Sequence, residues 1–288
     1  MKIPLRNLGQ LLARCWVAAE QATATAIAAK HPDPREVNIT FLFAGELRAA
    51  VAEASDKKLF ERAFLADLRA RFPELANADL SGTRGLIARV SFHNQHHEGR
   101  RSASDLGVII TAPSVRRPAA APRLEILRDQ SSALLAQAKV GRPSPSRESR
   151  LRWGRLTDTQ ERLIPDHGDY YALLLYRLEG AAKNELAPFR WQPCRRYSVP
   201  DIKSWLRSGN FPSELSSTQV IDALSSGTLG TDSPAVIERI IDPSSSRHTS
   251  IEMHVFWPDG TGPDPLFTMH RNLEQRQRQV VIVQRSAP

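Results

Sequence analysis

The sequence predicts a mixed α/β domain in which helices flank a central sheet. Residues 3–72 carry apolar side chains at helical spacing, later segments carry the short apolar runs typical of strands, and further short helices separate those strands. The 288 residues are 41% hydrophobic and 24% charged, which is the composition of a globular protein with one large or two small domains. This composition excludes collagen, a coiled-coil rod and a wholly disordered chain.

Three helices are predicted in the N-terminal part of the chain. An Ala-rich helix over 3–30 ends before Pro32 and Pro34, which cannot continue it. A second helix begins near Glu36 and has an apolar stripe on one face, and a third spans 57–72.

The remainder of the chain is predicted to supply the sheet. Strands are predicted over 85–92, 105–111, 124–127, 132–139, 170–176, 251–257 and 279–284. A cap at Thr157 and Asp158 predicts a short helix that ends at Ile164, and two more helices span 199–207 and 218–224. Polar, Pro-rich or Gly-rich stretches predict loops over 93–102, 112–122, 141–155 and 225–250.

The charge of the chain indicates a polyanionic partner. The net charge is +8 at neutral pH, and nucleic acid is the commonest polyanion in a cytosol. Cys15 and Cys194 are too few for a disulfide framework or a structural zinc site, which favours a reducing compartment. Since no apolar run approaches the roughly 20 residues that cross a bilayer, and since the N-terminus lacks a secretory signal, we expect a cytoplasmic protein without a membrane partner.

Three polar residues at the ends of two predicted strands suggest a catalytic site. Asp105 opens the strand 105–111, and Gln137 and Lys139 close the strand 132–139 on one face, because strand residues alternate. If the two strands pair antiparallel, these side chains converge at one sheet edge. Carboxylate and amide oxygens suit a Mg²⁺-type ion, and a lysine stabilises charge on a phosphate. Because an amide binds metal more weakly than a carboxylate, at least one more acid is required.

This pattern resembles the PD-(D/E)XK, or restriction-endonuclease-like, nucleases, in the QxK variant of Mrr-like and bacterial defence enzymes. The resemblance covers about residues 36–176. It implies a restriction-endonuclease-like mixed central sheet, with a helical N-terminal cap (1–35), a nuclease-like core (36–180) and a C-terminal α/β extension (181–288) packed on the same domain. It also implies a Mg²⁺- or Mn²⁺-dependent endonuclease that cuts DNA, with double-stranded DNA favoured, in restriction or anti-phage defence.

The resemblance also assigns roles to individual residues. Asp105 is expected to be the principal metal ligand together with Gln137, and Lys139 to stabilise the transition state. Family members place a further acid on a helix before the strands, and Gln160 is expected to line the site. The candidate acids are Glu36, Glu46 and Glu98, and the segment 36–40 favours Glu36.

Two features depart from the family pattern. Ser104 stands where the family often has Gly or Pro, and the gap from Asp105 to Gln137 is long for a hairpin. A surface insertion at the Pro-rich connector 112–122 is expected to account for that gap.

Other readings of the same residues stay open. The basic stretch with Arg142, Arg147, Arg150 and Arg152 predicts either a track for nucleic-acid phosphates or a merely soluble surface. Lys139 could form a structural ion pair, and the chain could be an inactive nuclease-like scaffold that binds nucleic acid or a partner protein. A partner protein or a homodimer is also compatible with the proposed enzyme.

Motifs of other enzyme classes are weak or absent in the sequence. His93, His96 and His97 lie near Glu98 in a polar loop, where they could bind zinc or contact nucleic acid, but a solvated loop is the favoured interpretation. The chain lacks the Gly-x-Ser-x-Gly elbow of serine hydrolases and the Gly-rich phosphate loop of ATP motors.

Overall fold

A computed structural model describes most of the chain and confirms the mixed α/β class. The described residues are 2–3, 5–30, 34–75, 80, 83–93, 106–116, 124–144, 147–164, 170–179, 185–195, 197–241, 249–258 and 280–283. The helices are α1 (Arg6–Lys30), α2 (Glu36–Asp56), α3 (Leu59–Arg71), α4 (Asp158–Leu163), α5 (Val199–Ser208), α6 (Ser217–Ser225) and α7 (Pro234–Ile241), with a short 3-10 helix over Pro73–Leu75.

The helices flank a mixed central sheet. Its strands are β1 (Lys2–Ile3), β2 (Ile87–His93), β3 (Leu106–Arg116), β4 (Leu124–Ser144), β5 (Arg147–Trp153), β6 (Tyr171–Glu179), β7 (Glu185–Leu186), β8 (Arg190–Pro193), β9 (Leu215–Ser216), β10 (Thr249–Phe256) and β11 (Val280–Val283). The main path runs β2-β10-β3-β4-β6-β8-β9. Among the described pairs, β10 with β3 and β4 with β6 are parallel, and the others are antiparallel.

The two faces of the sheet carry separate apolar cores. On β4, Ala138 belongs to the core that also contains the apolar faces of α1, α2 and α6. Leu135 belongs to the core beneath α5 and α7. Because side chains alternate along a strand, Gln137 and Lys139 lie on the same face as Leu135.

Helix α2 lies where the sequence predicts it and packs through the predicted stripe. Ile39, Phe43, Leu47 and Val51 are fully buried and recur every four residues, which places them on one side of the helix. Arg35 precedes the helix in an extended conformation, and Glu36 is the first helical residue. This packing brings the N-terminus of α2 against the central strands.

Three predicted loops are wrong, at least in part. Residues 141–155 mostly form the end of β4 and strand β5, paired antiparallel with a register shift after Pro143. Glycine and proline suggested a turn, but bulges are among the few sheet positions that accept proline. Likewise, the connector 112–122 forms part of β3 up to Arg116, so the long gap from Asp105 to Gln137 is mostly hairpin strand rather than an inserted surface loop. Part of the stretch 225–250 is helix α7.

No helix within the described ranges has both the length and the apolar character needed to span a membrane.

Candidate active site

Strand β4 has an opening between two partners on one of its sides. Strand β3 begins at Leu106, opposite Ala136, and β5 ends at Trp153, opposite Gly141. Strand β6 runs along the other side through this whole stretch. Among the described residues, positions 137–140 of β4 therefore pair with a strand on one side only. The opening on the other side, between the ends of β3 and β5, is termed the β4 gap.

Gln137 and Lys139 lie in the β4 gap and point to the same face, as the alternation predicts. Their side chains are nearly enclosed, with exposed fractions of 1% and 5%, and Ala138 between them is buried in the opposite core. The antiparallel pairing of the two strands that the sequence analysis assumed is present, whereas convergence with Asp105 stays a prediction because Asp105 lies outside the described residues. The gap lies inside the sheet, because β4 continues past the start of β3.

The side chain of Gln160 connects these two residues. Its Oε1 accepts a hydrogen bond from the backbone N–H of Thr157 at 3.0 Å and one from Lys139 Nζ at 3.5 Å. Since this oxygen must face the two donors, Nε2 faces the other way and donates to Gln137 Oε1 at 2.7 Å. The predicted cap at Thr157 is confirmed as a capping box, and it also fixes the amide that spans the site.

Glu36 reaches the β4 gap from the first turn of α2. Its Oε1 accepts a hydrogen bond from the backbone N–H of Val140 at 3.1 Å. Glu46, the other candidate on this helix, lies ten residues further along α2, which is about 15 Å along the helix axis. The structure therefore brings Glu36, and not Glu46, to the strand that carries Gln137 and Lys139.

Glu36 and Lys139 approach each other beside Gly154. A Cβ built on this glycine would lie 3.7 Å from Lys139 Cδ and 3.8 Å from Glu36 Oε1. The segment after β5 thus lies against both side chains and forms one wall of the gap. Three separate parts of the chain, α2, β4 and this segment, meet at one point.

The ammonium of Lys139 is buried among uncharged acceptors. Nζ donates to the backbone carbonyl oxygen of Arg155 at 3.2 Å and, as noted, to Gln160. Within the described part of the chain it forms no ion pair, so a structural ion pair finds no partner there. Because the acceptors that Lys139 Nζ contacts among the described residues are neutral, the buried ammonium favours the approach of a further negatively charged group.

The remaining predicted metal ligands lie outside the described residues. These are Asp105 and Glu98, although Leu106, which follows Asp105, pairs one residue before Gln137. The described donors at the gap, the Glu36 carboxylate and the Gln137 amide, are hard oxygen ligands that fit Mg²⁺ or Mn²⁺ in kind. No group of three or more His, Cys, Asp or Glu side chains within the described ranges could hold a metal ion. A complete site therefore requires Asp105 or water.

The four arginines of the predicted nucleic-acid track occupy different positions. Arg142 donates from Nη2 to the backbone carbonyl oxygen of Pro34 at 2.9 Å, next to the start of α2. Arg152 lies on β5 and is exposed, and Arg147 and Arg150 lie on the same strand.

Several residues of the site gave no signal in the sequence. Gly154 and Arg155 fall in a stretch that reads as a loop, and Arg155 acts through a backbone carbonyl that any residue could supply. The interpretation of the three histidines stays open, because His93 ends β2 and the other two histidines lie outside the described residues.

The chain thus brings a carboxylate, two amides and an ammonium to one opening in a sheet. No protein-family model, curated protein or solved structure matches this chain.

Proposed function

We propose that this chain is a metal-dependent endonuclease of the PD-(D/E)XK, restriction-endonuclease-like superfamily in its QxK variant. It would hydrolyse phosphodiester bonds of double-stranded DNA in bacterial restriction or anti-phage defence. One observation carries the proposal: Glu36, Gln137 and Lys139 meet at the β4 gap, on a strand with an antiparallel partner on one side and a parallel partner on the other.

The residues at the gap have distinct roles in this proposal. Glu36, Gln137 and Asp105 would hold Mg²⁺ or Mn²⁺, which when bound polarises the phosphate and activates water. Lys139 stabilises the negative charge that develops on the phosphate, because an ammonium acts more strongly in a buried site than in water. Gln160 keeps the Lys139 ammonium and the Gln137 amide in fixed orientations.

The charge of the chain supports a nucleic-acid substrate. The net charge of +8 attracts the phosphate backbone without regard to sequence. Arg152 and Arg155 are both exposed and lie just before and just after the Trp153–Gly154 wall of the gap. Their positive charge would attract the phosphate backbone to this part of the surface.

A cleavage assay with matched variants tests the proposal. Supercoiled plasmid, single-stranded DNA and RNA are each incubated with protein and Mg²⁺, Mn²⁺ or a chelator. We expect metal-dependent plasmid cleavage by the wild type and by Lys57→Ala, whose ammonium forms an exposed ion pair with Glu53. Lys139→Ala and Glu36→Ala should lose on the order of a hundredfold or more in rate. Absence of cleavage of all three substrates, or full activity of Lys139→Ala, would overturn the proposal.

One observation favours a second candidate, a nuclease-like scaffold that binds nucleic acid or a partner protein without cutting it. Gln137 offers a neutral oxygen, and that oxygen already accepts the hydrogen bond from Gln160. The Gln137→Glu variant separates the two candidates. An enzyme should bind Mn²⁺ more tightly with a carboxylate there, whereas a scaffold should bind DNA equally with and without metal and cut in neither form.

A further inference from the structure

We infer that Thr40 and Tyr176 form a buried hydroxyl pair that positions Glu36 in the β4 gap. The inference rests on the proposed function, since it concerns how the acid of that site is held. Neither hydroxyl is placed to touch substrate, so both are positioning residues.

The pair lies one turn into α2 and is fully enclosed. Thr40 Oγ1 donates to the backbone carbonyl oxygen of Glu36 at 2.9 Å and lies 3.0 Å from the Tyr176 hydroxyl oxygen. A hydroxyl has a single hydrogen, and Thr40 uses its own for Glu36, so Tyr176 donates to Thr40. Thr40 is 7% exposed and Tyr176 is 0% exposed.

These contacts close a ring around Glu36. Tyr176 is the β6 residue that pairs with Val140 of β4. Val140 in turn donates its N–H to the Glu36 carboxylate. Val140 therefore holds the side chain of Glu36. Its strand partner Tyr176 holds the backbone of Glu36 through Thr40.

Apolar packing alone would not hold the helix this way. The stripe that includes Ile39 and Phe43 buries α2 against the core, but apolar contacts are not directional. A hydrogen bond weakens steeply with distance and angle, so the hydroxyl pair resists sliding and rotation of the first turn. Arg35 at the N-cap makes no side-chain capping bond that could do the same.

The test removes both hydroxyls together. In Thr40→Val/Tyr176→Phe both partners become apolar groups of similar shape, a change that is nearly neutral for stability. The matched control is Thr111→Val/Ser131→Ala, which removes another hydroxyl pair, 2.8 Å apart, between β3 and β4. Hydrogen exchange of the Val140 amide and the kinetics of DNA cleavage are measured for both variants. Glu36→Ala, which removes the carboxylate that accepts the hydrogen bond from the Val140 N–H, serves as the reference for fast exchange.

We expect the Val140 amide to exchange as fast in Thr40→Val/Tyr176→Phe as it does in Glu36→Ala. In the control variant, the same amide should exchange as slowly as in the wild type. The kcat should fall by about ten- to a hundredfold with KM within about twofold, and Thr40→Ser should retain activity. Added to Glu36→Ala, the double change should cause no further loss.

Three results would overturn the inference: wild-type exchange at Val140, a loss of kcat that persists in the Glu36→Ala background, or an equal loss in the control. If the wild type cuts no substrate, the proposed function fails, and Val140 exchange alone decides whether the hydroxyl pair positions Glu36. If the double variant does not fold, Tyr176→Phe alone is measured against the same criteria.

Discussion

The backbone N–H of Val140 donates a hydrogen bond to Glu36 Oε1 across 3.1 Å and joins residues 104 positions apart in the chain. The bond lies where β3 has stopped and β5 has not yet begun. A buried backbone N–H requires an acceptor, and among the described residues the Glu36 carboxylate supplies it, where no described strand pairs with this side of β4. The location of the acid is therefore tied to the β4 gap.

Replacement of Lys139 with methionine should remove activity and increase stability. Methionine keeps an aliphatic stem but removes an ammonium that is 5% exposed and bonded to neutral oxygens. We expect the unfolding temperature to rise by a few degrees, which corresponds to an increase of about 1 kcal/mol in the free energy of unfolding. Plasmid cleavage should fall to background. Scanning calorimetry measures the first effect. A lower unfolding temperature would show instead that Lys139 is half of a stabilising ion pair.

Arg152 and Arg142 should affect DNA binding differently. Arg152→Ala should weaken binding and reduce the slope of log affinity against log salt by about 1, because its side chain is exposed. Arg142→Ala should leave that slope unchanged and destabilise the fold by about 1–3 kcal/mol, because its guanidinium bonds to Pro34. Fluorescence anisotropy without divalent metal and urea unfolding measure the two effects. An equal loss of slope in both variants would place Arg142 on DNA, as the sequence suggested.

A methyl group at Gly141 should damage both stability and activity. A Cβ there would lie 2.8 Å from two ring carbons of Trp153, and this ring is buried and packs edge-on against Phe211. Gly141→Ala should therefore lower the free energy of unfolding by about 1–3 kcal/mol. Cleavage should fall as well, because a displaced Trp153 would shift its neighbour Gly154, which forms a wall of the gap.

A second glycine provides the control for this change. Gly45 lies in α2 with no atom within 4 Å of a Cβ position, so Gly45→Ala should stabilise the protein by about 0.5–1 kcal/mol. Urea unfolding of the two variants gives both values. Equal stability of Gly141→Ala and wild type would mean that Trp153 moves aside freely.

Glu20 in α1 should make stability depend on pH. It is 5% exposed, and burial raises the pKa of its carboxyl from 4.5 to about 7. The hydrogen bond that this carboxyl accepts from the N–H of Phe189 lowers the pKa, but its effect is smaller than that of burial. Because the folded state binds this proton more tightly than the unfolded state, the stabilisation is lost as pH rises from about 4.5 to about 7.

Glu20→Gln, which cannot ionise, should be more stable than wild type above pH 7, by up to about 3 kcal/mol. Urea unfolding at pH 4, 5.5 and 7.5 should show the difference growing with pH. A difference that is the same at all three values would contradict the assigned cause.

The sequence was informative where local chemistry decides the structure. The two-residue period placed Gln137 and Lys139 on one face, and the capping residues placed α4. Helix periodicity could place both Glu36 and Glu46 on α2, but the choice between them depends on which end of the helix meets β4. Only the segment 36–40, through the resemblance, pointed to Glu36.

The rest of the site depends on pairing between distant parts of the chain. The stretch that contains Pro143 and Gly154 resembles a loop in the sequence. Part of it becomes the regular strand β5 only through its pairing with β4, which the local sequence does not reveal. The β4 gap follows from the relative lengths of β3, β4 and β5, which no local pattern encodes. Thr40 and Tyr176 look like ordinary residues of a helix and a strand until the two elements are packed together.

Strand β10 lies between β2 and β3, although about half of the chain separates it from them. During synthesis, β2 and β3 leave the ribosome long before Phe256 does, and they cannot take their final places until β10 joins them. The proposed nuclease would therefore acquire its working sheet only after β10 has been synthesised. A truncated product that ends before β10 should be harmless to the DNA of its own cell.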